Sequence, residues 1–471
     1  MKATADNGSN FSSMDEEEFK AFHWRVLLTT GMGVFCDGYD LSSIGIVLPL
    51  VLTSFGVHTL TGLQSGLLVG SALFGSAIGA MVFGLLAQYG RKRFYGIDVM
   101  IMGLAAIAQA FAPNLAWLIA IRFILGIGIG GDYVLSPTIM AEHANRTDRG
   151  KIFGLGFGVM WPSGVFVAGL LNLLLNSVGV SPQMQWHLVL AFGSVPAFGV
   201  LFFRRQLPET ARYLARIVGD AEAATDVMRQ ATGQTASAKS GLALHASVRD
   251  DRPFGEVFAR HARMIFSASL LWLIYDLVDY FGTLFGPSLI ARSLSMTPVQ
   301  FTLLLQGVFV IPSALVLSCF ALDRLGRKPV QTWGFVVGAI MLTVFALLHS
   351  YLIALPALAL IAFGFYAVGM SGPYTVSGTG ILGVELCPTR IRTLGQAMTV
   401  VGGRVGASIT AIGFPLLFGR IGLAGVIGLL AAISLLGAIL TQLLIPETSQ
   451  RSLEAINGDR LEVTLPIKEV V

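Results

Sequence analysis

An all-α polytopic membrane protein, with twelve transmembrane helices in two six-helix bundles, is the fold class this sequence predicts. Three observations carry it. Of 471 residues, 54% are hydrophobic and only 12% are charged, with a mean hydropathy of +0.73; a soluble domain carries roughly 25% charged residues. Apolar runs long enough to cross a bilayer, about 20 residues each, recur twelve times. The chain also repeats its own motifs half-way along. A β-barrel would alternate apolar and polar residues over about 10 positions, and the apolar content excludes disorder.

Met1 to Lys20 is polar and carries Asp15, Glu16, Glu17 and Glu18. It reads as a tail rather than a cleaved signal, which would begin basic and turn apolar early. Spanning runs follow at about 24–52, 63–87, 94–113, 117–140, 152–178 and 187–206, then at 264–290, 300–322, 330–349, 352–378, 393–418 and 421–445. The layout is a tail over 1–23, a bundle over 24–206, a central loop over 207–262, a second bundle over 263–446 and a tail over 447–471. Basic residues gather in alternate loops: Arg91, Lys92 and Arg93; Arg146, Arg149 and Lys151; Arg204, Arg205, Arg212 and Arg216; Arg324, Arg327 and Lys328; Arg390 and Arg392. Cytoplasmic loops collect Lys and Arg, so both termini and the central loop are expected inside the cell, the protein lying in the plasma or inner membrane. The central loop reads as a short amphipathic helix followed by a flexible linker.

The repeat is specific. Ala87-Gln-Tyr-Gly-Arg-Lys-Arg93 returns as Asp323-Arg-Leu-Gly-Arg-Lys-Pro329, Gly90 to Gly326 being 236 positions. Pro208-Glu-Thr returns as Pro446-Glu-Thr, and Glu142 before Arg149 returns as Glu385 before Arg392. Asp37 and Asp40 in the first run match Asp276 and Asp279 in the seventh, both at 239 positions. Two such halves related by an axis along the membrane normal are a transporter design, with the solute site between them near the midplane.

Ionisable residues inside the runs stand out, because a charge at mid-bilayer costs about 2.5–3.5 kcal/mol on insertion scales. They are Asp37, Asp40, Arg122, Asp132, Asp276, Asp279 and Arg404; Asp98, near the start of its run, reads as structural. A carboxyl withdrawn from water favours its neutral form, and an adjacent Arg favours the anion. Such a set suits proton-coupled transport, with Arg404 holding an Asp charged until solute or proton displaces the pairing. The glycines around Gly126, Gly128, Gly130 and Gly131 lack the strand and soluble helix of a nucleotide loop and read as close helix packing.

The paired Gly-Arg-Lys loops, twelve spans and long central loop resemble the major facilitator superfamily, whose loop pattern is Gly-x-x-x-Asp-Arg-x-Gly-Arg-Lys. The second copy keeps Asp323 and Arg324 but has Cys319 for the first glycine. The first copy has Ala87 and Gln88 where Asp and Arg belong, and its Gly84 is one residue out of step. The resemblance implies a conformational latch made by Gly84, Gly90, Arg91, Asp323, Arg324, Gly326 and Arg327 together with Glu142, Arg149, Glu385 and Arg392, weaker where the Asp is missing. Gly130-Gly-Asp132-Tyr133 through Glu142 resembles the fourth helix of the phosphate:proton symporters. Trp272-Leu-Ile-Tyr-Asp276 with Tyr280-Phe-Gly282 resembles their seventh, and Gly403-Arg404-Val-Gly406 their eleventh, with Arg for Lys. By that resemblance Asp37 and Asp132 handle protons, while Tyr133, Trp272, Asp276 and Tyr280 line the solute pocket.

Two departures point away from phosphate. Trp161 falls near the family's pocket Gln, and Tyr374 takes the place of an Asn. A tetrahedral anion wants several donors; Trp and Tyr offer one each and much apolar face. Asp37-Gly-Tyr-Asp40 resembles the first helix of organic-acid symporters, and the Pro-Glu-Thr loops resemble those of sugar porters. The expected function is therefore proton-coupled symport of a small anion, phosphate or an organic or aromatic carboxylate, by alternating access. Asp37, Asp40 and Asp132 serve protons; Trp161, Asp279, Tyr374 and Arg404 join the solute pocket. A sugar or polyol symporter and a transporter-like nutrient receptor are the alternatives.

An enzyme is not expected: His23, His143 and His261 lack a recognisable partner set. No Gly-x-x-x-x-Gly-Lys-Ser/Thr occurs, so ATP would need another subunit. Cys36, Cys319 and Cys387 form neither a metal spacing nor a disulfide framework. No cofactor, metal or nucleic acid is expected; the partners are solute, protons and the lipid bilayer, and the protein is expected to work as a monomer.

Overall fold

The computed structural model describes residues 11–57, 60–233, 249–293 and 296–458. Among the described residues, twelve helices are long and apolar enough to cross a membrane: α1 Ala21–Ser54, α2 Gly70–Tyr89, α3 Arg91–Ala110, α4 Leu115–His143, α5 Arg149–Ser177, α6 Pro182–Gln206, α7 Phe254–Thr283, α8 Pro298–Ala321, α9 Arg327–Leu348, α10 Ala357–Glu385, α11 Arg392–Phe414 and α12 Leu416–Leu444. Among the described residues there is no strand. The chain is a multi-pass membrane protein.

Within the first half α2 packs on α4 and α1 on α5; within the second, α7 packs on α11 and α9 on α10 and α12. The glycines of α4 act as small residues: a Cβ at Gly126 would collide with the Ala72 carbonyl, and one at Gly130 with that of Ser76. Without a hydrophobic drive between helices in lipid, such backbone proximity supplies the van der Waals gain. The halves meet along α2 with α11 and along α5 with α8. α11 and α12 run on as one long helix, broken at Gly422 in the early turns of α12, where φ is 69°. Two wide turns, Gly154–Val159 in α5 and Tyr374–Gly378 in α10, lie next to Trp161 and at Tyr374; such bulges re-aim side chains and recur at functional sites.

Two features differ from the sequence reading. α7 begins at Phe254, inside the expected loop, because its first turns are polar and leave the membrane, with Glu256 and Arg260 paired at 3.2 Å. The short amphipathic helix expected in the central segment is also docked against the rest of the chain, which its sequence did not foretell. Its helix Ala221–Thr232 buries Ala224, Val227, Met228 and Ala231 against Phe11, Met14, Ala211 and Ala215. Apolar residues spaced three and four apart make that stripe, and the amino-terminal tail supplies its cover. Residues 234–248 lie outside the described set.

Candidate functional site: a mirrored latch and a central charged cluster

On the face that carries both tails, two carboxylates are each held between the halves. Glu142 at the end of α4 accepts from Arg91 of its own half at 3.2 Å and from Arg392 of the other half at 2.7 Å, and from the Thr210 hydroxyl. Its counterpart Glu385 accepts from Arg327 at 3.1 Å, from Arg149 across the halves at 2.7 Å and from Thr448 at 2.5 Å. The threonines are those of the two Pro-Glu-Thr motifs. The residue before each also works: Glu447 accepts from the Arg327 and Lys328 amides, and Glu209 from that of Lys92. Gly90 and Gly326 turn the chain at φ of 133° and 105°, where L side chains are strained.

The symmetry breaks where the Asp is missing. Asp323 caps the start of α5, accepting from the Gly150 and Lys151 amides at 2.8 and 2.6 Å, and also pairs with Arg327 at 2.9 Å. Burial pushes its carboxyl up from the ordinary range, against the pull of Arg327. Ala87, at the matching place, is buried and has no side chain to offer. There the halves are joined by Thr393 donating to the Gly84 carbonyl at 2.9 Å and by Arg91 donating to that of Thr389 at 2.8 Å; Gly84 admits Ala397 of α11 so closely that a Cβ would clash. Arg324 corrects the expectation. It is exposed, its guanidinium 5.9 Å from the Phe320 ring, and it forms no ion pair among those of the described residues. Three residues further along the turn, Arg327 points inward instead.

A second cluster lies midway along α4, α7 and α11. Arg404, 3% exposed, donates to the Tyr280 hydroxyl at 2.9 Å, faces Asp276 at 3.7 Å and stands 4.4 Å over the Tyr133 ring. Trp272 donates to Asp276 at 3.2 Å. The Nε and Nη2 of Arg404 and the Oδ2 of Asp276 have no hydrogen-bond partner among the described residues; the Tyr133 hydroxyl shares the field of the guanidinium without meeting bonding geometry. The glycine of the Gly403-Arg404 motif is required by space, since a Cβ there would press on Trp272 and Asp276. Tyr133, Trp272, Asp276, Tyr280 and Arg404 are thus brought together.

The proton candidates separate. Asp132 is fully buried and accepts from Arg204 at 2.5 Å and Ser136 at 2.7 Å; Arg204 also donates to Asp98 at 2.6 Å and lies 3.9 Å over the Tyr95 ring. Arg204 is therefore not a loop charge as its position near the end of α6 suggested. One buried guanidinium bridges two carboxylates, Asp98 and Asp132. Asp37 is buried with neither oxygen hydrogen-bonded among the described residues, within electrostatic reach of both Arg204 and Arg404. Asp40 does not share that position. It presses against Gly193 at the break in α6 and answers to Arg122, inside the first half; three residues along a helix turn a side chain by about 300°, enough to change neighbours. Arg122 is itself buried, donating to the Leu68 carbonyl at 3.1 Å and to Gln109 at 3.2 Å.

Trp161 and Tyr374 face each other at 6.2 Å, and Tyr374 stacks on Tyr275 at 6.0 Å while donating to the Phe157 carbonyl at 3.0 Å. With Asp279 they line a cavity whose other wall holds Gln306, Tyr366 and Ser371. Gln306 was missed by sequence reasoning. Its signal was available, an amide well inside the very apolar eighth run, whereas Gln300 only caps the start of that run; that of Arg204 was hidden by its nearness to the loop.

Mirrored ion pairs that close one face, over a central guanidinium with unused donors, are the parts of a two-bundle membrane transporter. Residues 26–459 match the family model described as Sugar (and other) transporter, and the chain belongs to that family. Its curated relatives include a probable inorganic phosphate transporter 1-6 of Arabidopsis thaliana, 29% identical over 97% of this chain and 98% of that protein. Another is a probable inorganic phosphate transporter 1-10 of Oryza sativa subsp. japonica, 30% identical over 96% and 92%. Among solved structures, a major facilitator superfamily proton:xylose symporter bound to 6-bromo-6-deoxy-D-glucose superposes with a TM-score of 0.80 at 20% identity, covering 94% of this chain and 99% of that one. An inward open xylose transporter from E. coli gives 0.69 at 21%, covering 93% and 100%. The fold is that of the major facilitator superfamily.

Proposed function

We propose that this protein is a proton-coupled symporter of a small anion, inorganic phosphate first, working as a monomer in the cell membrane with both tails in the cytoplasm. One observation carries the reading: Arg404 is buried between α4, α7 and α11 with two donors unused. A buried charge without full hydrogen bonding is costly, and an oxyanion that accepts from both donors relieves that cost. The curated relatives named as phosphate transporters support the choice of anion. A neutral sugar could accept from the free donors but would bring no charge to balance the guanidinium beyond Asp276. The aromatic Trp161 and Tyr374 favour an organic anion as the second reading.

In this account Arg404 leans on Asp276 at 3.7 Å while the site is empty of solute. The entering anion takes the free donors, and a proton taken up at Asp37 or Asp132 offsets the added negative charge. The pairs Arg149–Glu385 and Arg392–Glu142 hold the tail face shut, and the loaded site makes their opening possible by rocking of the halves. The test is uptake of radiolabelled phosphate into proteoliposomes under an imposed pH gradient. Arg404→Gln abolishes uptake and counterflow, whereas Asp132→Asn abolishes accumulation and keeps counterflow. Uphill uptake by Asp132→Asn at the wild-type level overturns its proton role, and undiminished uptake by Arg404→Gln overturns the anion site.

A further inference from the structure

Beside the Arg404 cluster lies the cavity already described, with about 50 Å³ open to the centres of water-sized molecules. Asp279 in its wall is one turn along α7 from Asp276, roughly 4.5 Å along the axis, so the cavity and the guanidinium lie within the span of one small solute. Besides the Tyr374 hydroxyl, given to the Phe157 carbonyl, two further hydroxyls of the lining are already committed. Tyr366 donates to the Val278 carbonyl at 2.8 Å, and Ser371 bonds Ser313 at 2.7 Å. Three polar groups remain. Gln306, 7% exposed, has its Oε1 without a hydrogen bond, and Trp161 has its Nε1 without one, both among the described residues. Asp279 accepts from Thr283 at a long 3.4 Å and is faced by the Tyr275 hydroxyl.

We infer that this cavity is a second subsite, which takes the hydroxylated arm of an organic anion whose charged end sits on Arg404. The inference rests on the anion reading above and names the class of solute. The chemistry of the free groups selects the arm. A second anionic group would face Asp279 with only the indole N–H and the Gln306 amide N–H, both uncharged, in compensation. An ammonium would suit Asp279 and the tyrosine faces but leave the Trp161 donor unmet, since it has no lone pair. A hydroxyl donates to Gln306 or Asp279 and accepts from Trp161, meeting both needs at once. A buried donor or acceptor left unmade is expensive, which makes this polarity selective. Size sets the length: one water needs roughly 10–15 Å³ on this measure, so the space holds about three to five non-hydrogen atoms. That is a two- or three-carbon hydroxylated arm. Phosphate alone leaves this space to water.

The test uses purified protein in lipid, with competition against phosphate uptake and thermal stabilisation measured in parallel. The probes are glycerol 3-phosphate, propyl phosphate and ethanolamine phosphate. Glycerol 3-phosphate should half-inhibit at a concentration roughly tenfold below propyl phosphate, with ethanolamine phosphate close to propyl phosphate. Gln306→Leu should shrink that gap to about twofold, and Trp161→Phe gives the same reading if Gln306→Leu fails to insert. Three esters that inhibit and stabilise equally, or a gap that survives both substitutions, overturn the subsite while phosphate uptake leaves the anion reading standing. If neither phosphate nor any ester is taken up or stabilises the protein, the anion reading itself fails.

Discussion

Neutralising Glu385 tests whether the mirrored pairs are a latch. The carboxylate accepts from Arg327 and Thr448 within its own half and from Arg149 across the halves at 2.7 Å. Only the Arg149 contact is lost when the tail face opens. A hydrogen bond to a charged group is worth about 1.5–3 kcal/mol net, and charge-assisted bonds are about twice as strong as neutral ones. Glu385→Gln keeps an oxygen for Arg149 but removes the charge, so it should destabilise the closed face by about 1–1.5 kcal/mol. The open fraction should rise roughly five- to tenfold. Ser318 reports it, because it is 1% exposed and packs on Gly154 across the α5–α8 seam. In a background with Cys36, Cys319 and Cys387 replaced by serine, the maleimide labelling rate of Ser318→Cys follows the open population when closing is fast. The rate should increase by that factor on adding Glu385→Gln. A rate unchanged within twofold, in protein that elutes as a single folded species, refutes the latch.

Gly326→Ala should lower the melting temperature, since a φ of 105° costs an L residue about 1–2 kcal/mol and the new Cβ would collide with the Glu447 carboxylate. Gly428→Ala, with nothing within 4 Å of its Cβ, should leave it unchanged; equal effects would refute the argument. The tail strap should respond to acid. Arg212 donates to Glu454 at 2.9 Å and to Asp15 at 2.7 Å, and it holds Glu454 down to about 2 despite burial, whereas burial raises Asp15. A depressed carboxyl stabilises above its ordinary pKa of 4.5 and loses that contribution as pH falls towards 2; raised Asp15 acts oppositely, stabilising below 3.8 and less as pH rises. A spin label on the carboxy-terminal tail should therefore gain mobility as pH falls through the Glu454 window, and Arg212→Gln should abolish the dependence. A mobility that does not change with pH in the unmodified strap refutes it.

Much of the mirrored ion-pair arrangement was legible before any coordinates, because the repeated halves carry the same short motifs. Gly90 and Gly326, Glu142 and Glu385, Thr210 and Thr448 all sit where the repeats put them. The role of Pro-Glu-Thr was not legible, since its Glu caps a loop more than a hundred positions away. The solute candidates Tyr133, Trp272, Asp276, Tyr280 and Arg404 came together because each lies at a comparable depth in its helix. Asp37 and Asp40 parted because depth fixes height in the bilayer and says nothing about azimuth among neighbours.

Hydropathy is a local property, summed over some twenty positions and indifferent to what lies alongside. It was enough to establish twelve spans, the polar stretch between the sixth and seventh, and the presence of acids in oil; the repeated motifs added the duplication. Pairing is a relation between side chains distant in the chain, and it depends on how each helix is rotated. So the fold, and no feature of the linear pattern, set Arg204 between Asp98 and Asp132, left Arg404 with spare donors, turned Arg327 inward and Arg324 outward, and placed Gln306 and Trp161 in the wall of one cavity.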